Sequence, residues 1–200
     1  MKFSILITSF NKGEAIEECI KSCLNQTYSN FEIIVCDNYS KDDSKKIFKK
    51  YKNKIKLFQK KRISNFSAIN QIDLIKLGFL KSKGNFICLL DADDYFYPKK
   101  LEILKKKYLN KKKLDVIFDL SVKKKFNVYT KLTLKKKIQK FIWPTIINTS
   151  SISIKKSFLK RCIKSRLLEK FNLLEVDFRI NVFSRRITKN FLIINDDITV

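Results

Sequence analysis

Short apolar runs alternate with amphipathic helical patterns through the first hundred residues, and this alternation limits the folds available to the chain. Four runs of mainly β-branched and aromatic residues are typical of buried strands. They lie at 3–7, 31–36, 55–58 and 86–90. Between them, apolar residues recur at helical spacing, as in Ile16, Ile20 and Leu24. The alternation predicts an α/β fold whose mostly parallel sheet is covered by helices on both faces.

The second half of the chain has a less regular pattern. Strands are predicted over 116–122 and 126–129, a basic amphipathic helix over 131–142, and a further helix from Ser157. We expect Glu175 and Asp177 to lie in or beside another helix. Because 200 residues suit one hydrophobic core, we treat 1–200 as a single domain.

Three features of the composition exclude whole classes of site. The chain has no histidine, which excludes Ser–His–Asp and Cys–His catalysis and any histidine-bound metal. Three glycines are too few and too scattered for a G-x-G-x-x-G fingerprint or a P-loop. The five cysteines include no C-x-x-C pair and favour reduced, buried thiols and a cytoplasmic location. Acid–base chemistry in this chain therefore has to come from carboxylates.

Polar residues follow three of the predicted strands at the point where each strand ends. Ser9 follows the first, Asp37 the second, and the sequence Asp91-Ala92-Asp93-Asp94 the fourth. Ligands of open α/β sheets bind at these carboxyl ends. Three carboxylates within four residues repel one another, and a divalent cation relieves that repulsion. The alternative is that this acidic sequence caps the following helix or lies in a solvated loop.

Three segments of the chain together resemble the family 2 glycosyltransferases, which have a GT-A (Rossmann-like) fold. They are FSILITSFN at 3–11, CLNQTYSNFEIIVCDNYSKDDS at 23–44, and SKGNFICLLDADDYFYP at 82–98. The resemblance implies transfer of a sugar from a nucleotide diphosphate donor, with UDP-sugars favoured, by metal-dependent inverting displacement. It also implies a nucleotide-sugar-binding half over 1–112 and an acceptor-side half over 113–200, which we expect to be abbreviated or truncated.

The resemblance assigns donor-binding roles position by position. Ser9 and Phe10 should lie against the base and ribose, and Asp37 should bind the base. Asp91 and Asp93 match the family's DxD motif. Asp93 would then hold Mn²⁺ or Mg²⁺ on the diphosphate, with Asp91 near the ribose.

Further roles follow from the same resemblance. Asp94 matches the acid that follows the DxD motif in the family. Asp177 is the expected catalytic base for the acceptor hydroxyl, with Glu175 as the second candidate. The family's Arg-Asn pair before the DxD strand has no clear counterpart here: Lys76 takes the Asn position in one alignment, and Asn70 takes it in another that needs an insertion.

The charge of the chain points to an anionic partner. Its formal net charge is +25, and the stretch 99–140 alone has 16 lysines against three acids. The charge would suit peripheral contact with the anionic inner face of the cell membrane. The resemblance to the family implies a saccharide or lipid-linked acceptor in surface polysaccharide synthesis, which agrees with such contact. Two alternatives stay open, a catalytically impaired member of the family and a lysine-rich protein that binds nucleic acid or another anionic surface. No specific nucleic acid is expected, because no known nucleic-acid-binding motif is present.

Overall fold

A computed structural model of the chain describes residues 1–125, 128–131, 148–166, 168–170, 174–188 and 190–200. The predicted basic helix over 131–142 lies outside these residues, apart from Lys131, which ends a strand. In the described residues no helix is both long enough and apolar enough to cross a membrane.

Eight strands and six helices make up the described chain. The strands are β1 (Phe3–Ser9), β2 (Phe31–Asp37), β3 (Lys56–Gln59), β4 (Phe86–Asp91), β5 (Val116–Lys125), β6 (Val128–Lys131), β7 (Ile152–Lys155) and β8 (Phe191–Thr199). The helices are α1 (Ile16–Leu24), α2 (Ser44–Lys50), α3 (Ser67–Lys81), α4 (Lys100–Asn110), α5 (Lys156–Lys164) and α6 (Val176–Ile187). A 3₁₀ turn, Thr149–Ser151, precedes β7.

The strands form one sheet in the order β3-β2-β1-β4-β7-β5-β6, and β8 pairs with β5. The first four strands are parallel, as the sequence predicts. Their register aligns their carboxyl ends, because Ser9 pairs with Asp37 and Thr8 pairs with Asp91. The predicted α/β fold is therefore confirmed, and the polar residues that follow these strands meet at one edge of the sheet.

The second half completes the sheet with a mixed set of strands. β7 is antiparallel to both β4 and β5, whereas β8 runs parallel to β5 with irregular register. The sequence pattern does not reveal β7 or β8, because β7 has only four residues and β8 is interrupted by the polar residues Asn195, Asp196 and Asp197.

Apolar layers cover both faces of the sheet. Alternate residues of β1 divide between them: Ile5 and Ile7 pack with α1 and α4, and Leu6 packs with α3, α5 and α6. Gly78 lets α3 approach β1, since a Cβ at this position would lie 2.3 Å from Leu6 Cδ1. All five cysteines are buried and unpaired, which confirms the expectation of free thiols.

A buried ion pair ties α4 to the second half of the sheet. Lys100 Nζ lies 2.8 Å from Asp119 Oδ2 on β5, and both side chains are 0% exposed. Lys100 Nζ also donates to the Ser150 carbonyl oxygen at 2.9 Å and to the Thr199 hydroxyl. The Thr199 hydroxyl in turn donates to Asp119 Oδ1 at 2.6 Å. This network joins α4, β5, β8 and the 3₁₀ turn beneath the edge at which β4 ends.

Candidate functional site

A cavity of about 360 Å³ opens at the carboxyl ends of the parallel strands. Its walls come from the ends of β1 and β4, the loop after β2, the loop before α3 with the first turns of that helix, and the start of α6. The residues that line the cavity include Ser9, Phe10, Lys12, Asn38, Arg62, Asn70, Gln71, Asp91, Asp93 and Glu175. The cavity therefore gathers residues from both halves of the chain.

The predicted base-side residues Ser9 and Phe10 both line this cavity. Ser9 Oγ is buried and has no hydrogen-bond partner among the described residues, so it can bond to a ligand. The Phe10 ring lies 4.5 Å from the guanidinium of Arg62. This stack presents a flat aromatic and cationic wall, which suits a planar, electron-rich group.

Asp37 stands at the end of β2 as predicted but does not line the cavity. Its buried carboxylate accepts bonds from the Ser40 amide at 2.9 Å, from the Ser40 hydroxyl, and from Gln59 Nε2 at 3.0 Å. The next residue, Asn38, lines the cavity, and its side chain donates to the Lys60 carbonyl. Asp37 thus shapes the turn that presents Asn38.

Asp91 ends β4 and lines the cavity beside two donors. It accepts bonds from Thr8 Oγ1 at 3.0 Å and from Gln71 Nε2 at 2.6 Å. Burial raises the pKa of Asp91 to about 7, and the charges of Asp94 and Asp93 also raise it. Near neutral pH this carboxylate is therefore poised between its protonated and ionised forms, and a nearby cation favours the ionised form.

Asp93 faces the cavity and is paired with Lys12 from the turn after β1. Lys12 Nζ lies 2.5 Å from Asp93 Oδ2, and the two side chains are 42% and 49% exposed. The hydrogen bond that Lys12 donates to Asp93 is the main cause of the raised Lys12 pKa, to which the charges of Asp93, Asp91 and Asp94 also contribute. The ammonium group of Lys12 therefore lies close to the carboxylates of all three of these aspartates.

Asp94 turns away from the cavity into the second half of the chain. Its Oδ2 accepts bonds from Ser150 Oγ at 2.5 Å and from Asn148 Nδ2 at 3.1 Å. Ser150 Oγ also accepts the Asp91 amide at 2.9 Å. Burial raises the pKa of Asp94 to about 6. We call residues 91–94 the acidic loop. Ser150 contacts this loop at two points and therefore fixes its shape.

The cavity carboxylates fit a divalent cation that is shared with a ligand. Within the described residues, no group of three or more aspartate, glutamate or cysteine side chains is arranged to hold a metal ion by itself. Mg²⁺ typically takes only one or two carboxylates and completes its shell with water and substrate phosphates. Asp91 and Asp93, which line the cavity together, match that requirement.

The structure separates the two candidates for the catalytic base. Glu175 lines the cavity directly before α6. Asp177, in the first turn of α6, does not line it, and its carboxylate accepts a bond from the Phe178 amide at 2.6 Å. Burial raises the pKa of Asp177 to about 6, with a smaller contribution from the charge of Glu175.

Of the two residues considered for the family's Asn position, Asn70 lies in the cavity wall. Its Oδ1 accepts the Ile63 amide at 2.9 Å, and its Nδ2 donates to the Ser64 carbonyl at 2.7 Å. Asn70 thereby holds the loop that carries Arg62. Lys76 instead pairs with Glu169 outside the cavity.

Lys12, Arg62 and Gln71 are cavity residues that the sequence reasoning missed. Arg62 and Gln71 both had an available signal, since they lie in 62–76, the segment in which the family's Arg-Asn pair has no clear counterpart. Lys12 is one of many basic residues in the chain, and nothing in the local pattern marks it as a cavity residue.

Comparison with known proteins places this chain in a family. A family model described as "Glycosyl transferase family 2" matches residues 4–159. The poly(ribitol-phosphate) beta-N-acetylglucosaminyltransferase TarP of Staphylococcus aureus is 32% identical over 107 residues, which cover 52% of this chain and 32% of TarP. The UDP-Glc:alpha-D-GlcNAc-diphosphoundecaprenol beta-1,3-glucosyltransferase WfaP of Escherichia coli is 35% identical over 98 residues, or 49% of this chain and 38% of WfaP. The chain spans well under two thirds of the length of either relative.

Solved structures agree on the fold. The structure of S. aureus TarS residues 1–349 in complex with UDP superposes with a TM-score of 0.70 at 19% identity, covering 100% of this chain and 60% of that one. The corresponding complex with UDP-GlcNAc gives a TM-score of 0.68 at 17% identity. The described architecture is therefore the GT-A fold of these proteins.

Proposed function

Because the chain belongs to glycosyl transferase family 2, we propose that it transfers a sugar from a nucleotide diphosphate donor, a UDP-sugar, to a saccharide or lipid-linked acceptor. The observation that carries this proposal is the meeting of Ser9, Phe10, Asp91 and Asp93 in one cavity at the carboxyl edge of the sheet. Two TarS structures of the same fold contain UDP or UDP-GlcNAc, which supports the choice of nucleotide.

The lining residues divide the work of donor binding. The unpartnered hydroxyl of Ser9 bonds to the base or ribose, and the stack of Phe10 with Arg62 packs beside the base. Asp93, with Asp91, would hold Mn²⁺ or Mg²⁺. When bound, the cation supplies Lewis-acid stabilisation of the charge that develops on the departing nucleoside diphosphate.

Glu175 is the group we propose as base for the acceptor hydroxyl, because it lines the cavity directly before α6. A carboxylate that takes this proton typically accelerates transfer by about 10²- to 10⁴-fold. Asp177 stays the second candidate. If Glu175 is the base, Glu175→Gln lowers turnover by about that factor while nucleotide affinity is kept, and Asp177→Asn has a small effect. The reverse pattern would assign the base to Asp177.

A phosphate-containing acceptor fits the charge of the chain. The names of TarP and WfaP specify a poly(ribitol-phosphate) and a diphosphoundecaprenol acceptor, and both acceptors are anionic. A protein with a net charge of +25 attracts such molecules. We therefore propose an anionic, phosphate-containing acceptor of cell-surface glycan synthesis. The peripheral membrane contact predicted from residues 99–140 stays a prediction.

Calorimetric titration of UDP, GDP, dTDP and CDP, with Mn²⁺ or with EDTA, tests the donor site. We expect one nucleotide, UDP, to bind only with the metal. Asp93→Asn should abolish this binding, whereas Asp43→Asn, which removes a surface carboxylate paired with Lys46, should preserve it. Absence of nucleotide binding, or binding that neither EDTA nor Asp93→Asn weakens, would contradict the proposal. Salt-sensitive oligonucleotide binding unaffected by Asp93→Asn would favour the nucleic-acid alternative.

A further inference from the structure

Lys12 reaches across the cavity from the turn after β1 to the acidic loop after β4, 81 residues away in sequence. Its backbone is fixed, because its carbonyl accepts the amides of Ala15 at 3.0 Å and Ile16 at 2.9 Å at the start of α1. Its side chain is 42% exposed and ends in solvent-accessible space beside Asp93. The ammonium group can therefore change partner without any change in the backbone.

Among the lysine pairs that the structure describes, this one is distinguished by a carboxylate that lines the cavity. Lys106 with Glu102, and Lys46 with Asp43, join neighbours on a single helical segment. Lys12 instead contacts Asp93, a carboxylate that lines the cavity and is half exposed. A divalent cation at the same oxygen of Asp93 would meet the positive charge of Lys12, and two cations at one oxygen repel each other.

A bound nucleotide diphosphate would relieve this repulsion between Lys12 and the divalent cation. Its phosphate oxygens carry the negative charge that a displaced ammonium group needs, and lysine binds phosphate as a mobile point charge. We propose that Lys12 exchanges between Asp93 and the donor diphosphate, so that the divalent cation and the nucleotide each strengthen the binding of the other. This inference rests on the proposed function, since it takes the nucleotide diphosphate as the ligand of the cavity.

Two affinities, each measured on wild type and Lys12→Met, test the exchange. The first is for Mn²⁺ alone, followed by the paramagnetic resonance signal of free Mn²⁺. The second is for UDP at saturating Mn²⁺, followed by calorimetry. Loss of a competing exposed ion pair should tighten Mn²⁺ binding about two- to fivefold. Loss of a charged phosphate contact should weaken UDP binding about tenfold. Lys106→Met, which removes the same charge from outside the cavity lining, should change neither affinity, and Lys12→Arg should stay close to wild type.

The opposite signs of the two effects make the exchange falsifiable. Unchanged or weaker Mn²⁺ binding by Lys12→Met would overturn it, as would undetectable Mn²⁺ binding by both proteins. Unchanged UDP affinity would also overturn it. A wild-type protein that binds no nucleotide would instead contradict the proposed function. The Mn²⁺ titration without nucleotide still measures whether Lys12 and the cation compete for Asp93.

Discussion

One lysine–aspartate pair lies at the cavity and another lies beneath the acidic loop. Both join an ammonium group to a carboxylate, but one pair is exposed to water and the other is buried. Lys12 and Asp93 meet at the cavity with side chains 42% and 49% exposed. Lys100 and Asp119 meet beneath the loop with both side chains fully buried. The N–O distances are similar, 2.5 and 2.8 Å. Distance therefore does not distinguish them, and their access to water does.

Access to water decides which pair can change partner. Water replaces either partner of an exposed pair at little cost, so such pairs contribute little to stability and exchange readily. A buried pair cannot separate without leaving an uncompensated charge. Lys100 also has the Ser150 carbonyl and the Thr199 hydroxyl as partners, which satisfies its ammonium group. The buried pair thus supports the loop, and the exposed pair is available for ligand binding.

Ser150 connects the two regions. Its carbonyl accepts a bond from Lys100, and its hydroxyl bonds to the Asp91 amide and to the Asp94 carboxylate. The buried network therefore extends through one residue to the loop that carries Asp93. Damage to the network should reach the cavity, whereas loss of the exposed pair should leave the fold unaffected.

Replacing Lys100 with methionine should have the largest effect. Methionine keeps the apolar stem of the side chain but leaves Asp119 as an unpaired buried charge, which typically costs about 3–5 kcal/mol of unfolding free energy. Urea unfolding followed by circular dichroism measures this loss. Lys106→Met on the exposed side of the same helix is the matched control, and its unfolding midpoint should stay at the wild-type value.

A second variant keeps that test decisive if Lys100→Met does not fold. The double change Lys100→Met with Asp119→Leu removes both charges and should recover much of the lost stability, since apolar residues of similar volume often replace buried pairs. Loss of less than about 1 kcal/mol in Lys100→Met, a value typical of exposed pairs, would show that burial does not distinguish the two pairs.

The parallel half of the molecule could be predicted from its sequence. Each apolar run identifies a strand, and the parallel order brings the ends of β1, β2 and β4 to one edge. That argument correctly places Ser9, Asp91 and Asp93 in one cavity. Asp37 stands at the same edge but does not line the cavity, because its carboxylate bonds within its own turn, to Ser40. Its contact with the base stays a prediction.

The basic residues could not be assigned from sequence, because their environment depends on distant parts of the chain. Lys99 and Lys100 are adjacent, yet only Lys100 carries a fully buried charge, matched by Asp119 on β5. One local signal exists: Lys100 shares the i, i+4, i+8 face of α4 with the buried residues Leu104 and Tyr108. For Lys12, the partner Asp93 is 81 residues away, and only the sheet brings them together.

Asp177 extends the comparison between exposed and buried charged groups, because burial raises its pKa to about 6. The usual pKa of aspartate is about 3.9, so the folded protein holds this proton more tightly than the unfolded chain does. The resulting stabilisation is complete below about pH 3.9 and is lost as the pH rises through about 6. Asp177→Asn removes the ionisable group and with it this pH-dependent loss of stability. The variant should therefore be more stable than wild type at pH 8, by about 1–3 kcal/mol, and nearly equal to it at pH 4.

Urea unfolding of both proteins at pH 4, 6 and 8 measures this difference. Asp43→Asn, which removes an exposed carboxylate, serves as the control for the change in net charge. An Asp177→Asn variant that is less stable than wild type at pH 8 would mean that the ionised carboxylate is stabilised by its contacts. The contacts of the Asp177 carboxylate would then outweigh the effect of burial on its charge.

Replacing Lys12 with methionine should have the smallest effect on stability. Both side chains of the Lys12–Asp93 pair remain in contact with water, so the unfolding free energy should change by less than about 1 kcal/mol. Urea unfolding without divalent cations, compared at low and high salt, measures that change, and salt should reduce it further by screening. A loss above about 2 kcal/mol would mean that the pair holds the two loops together. Lys12 could not then leave Asp93 for a diphosphate without disturbing the cavity, so the exchange would fail on stability grounds alone.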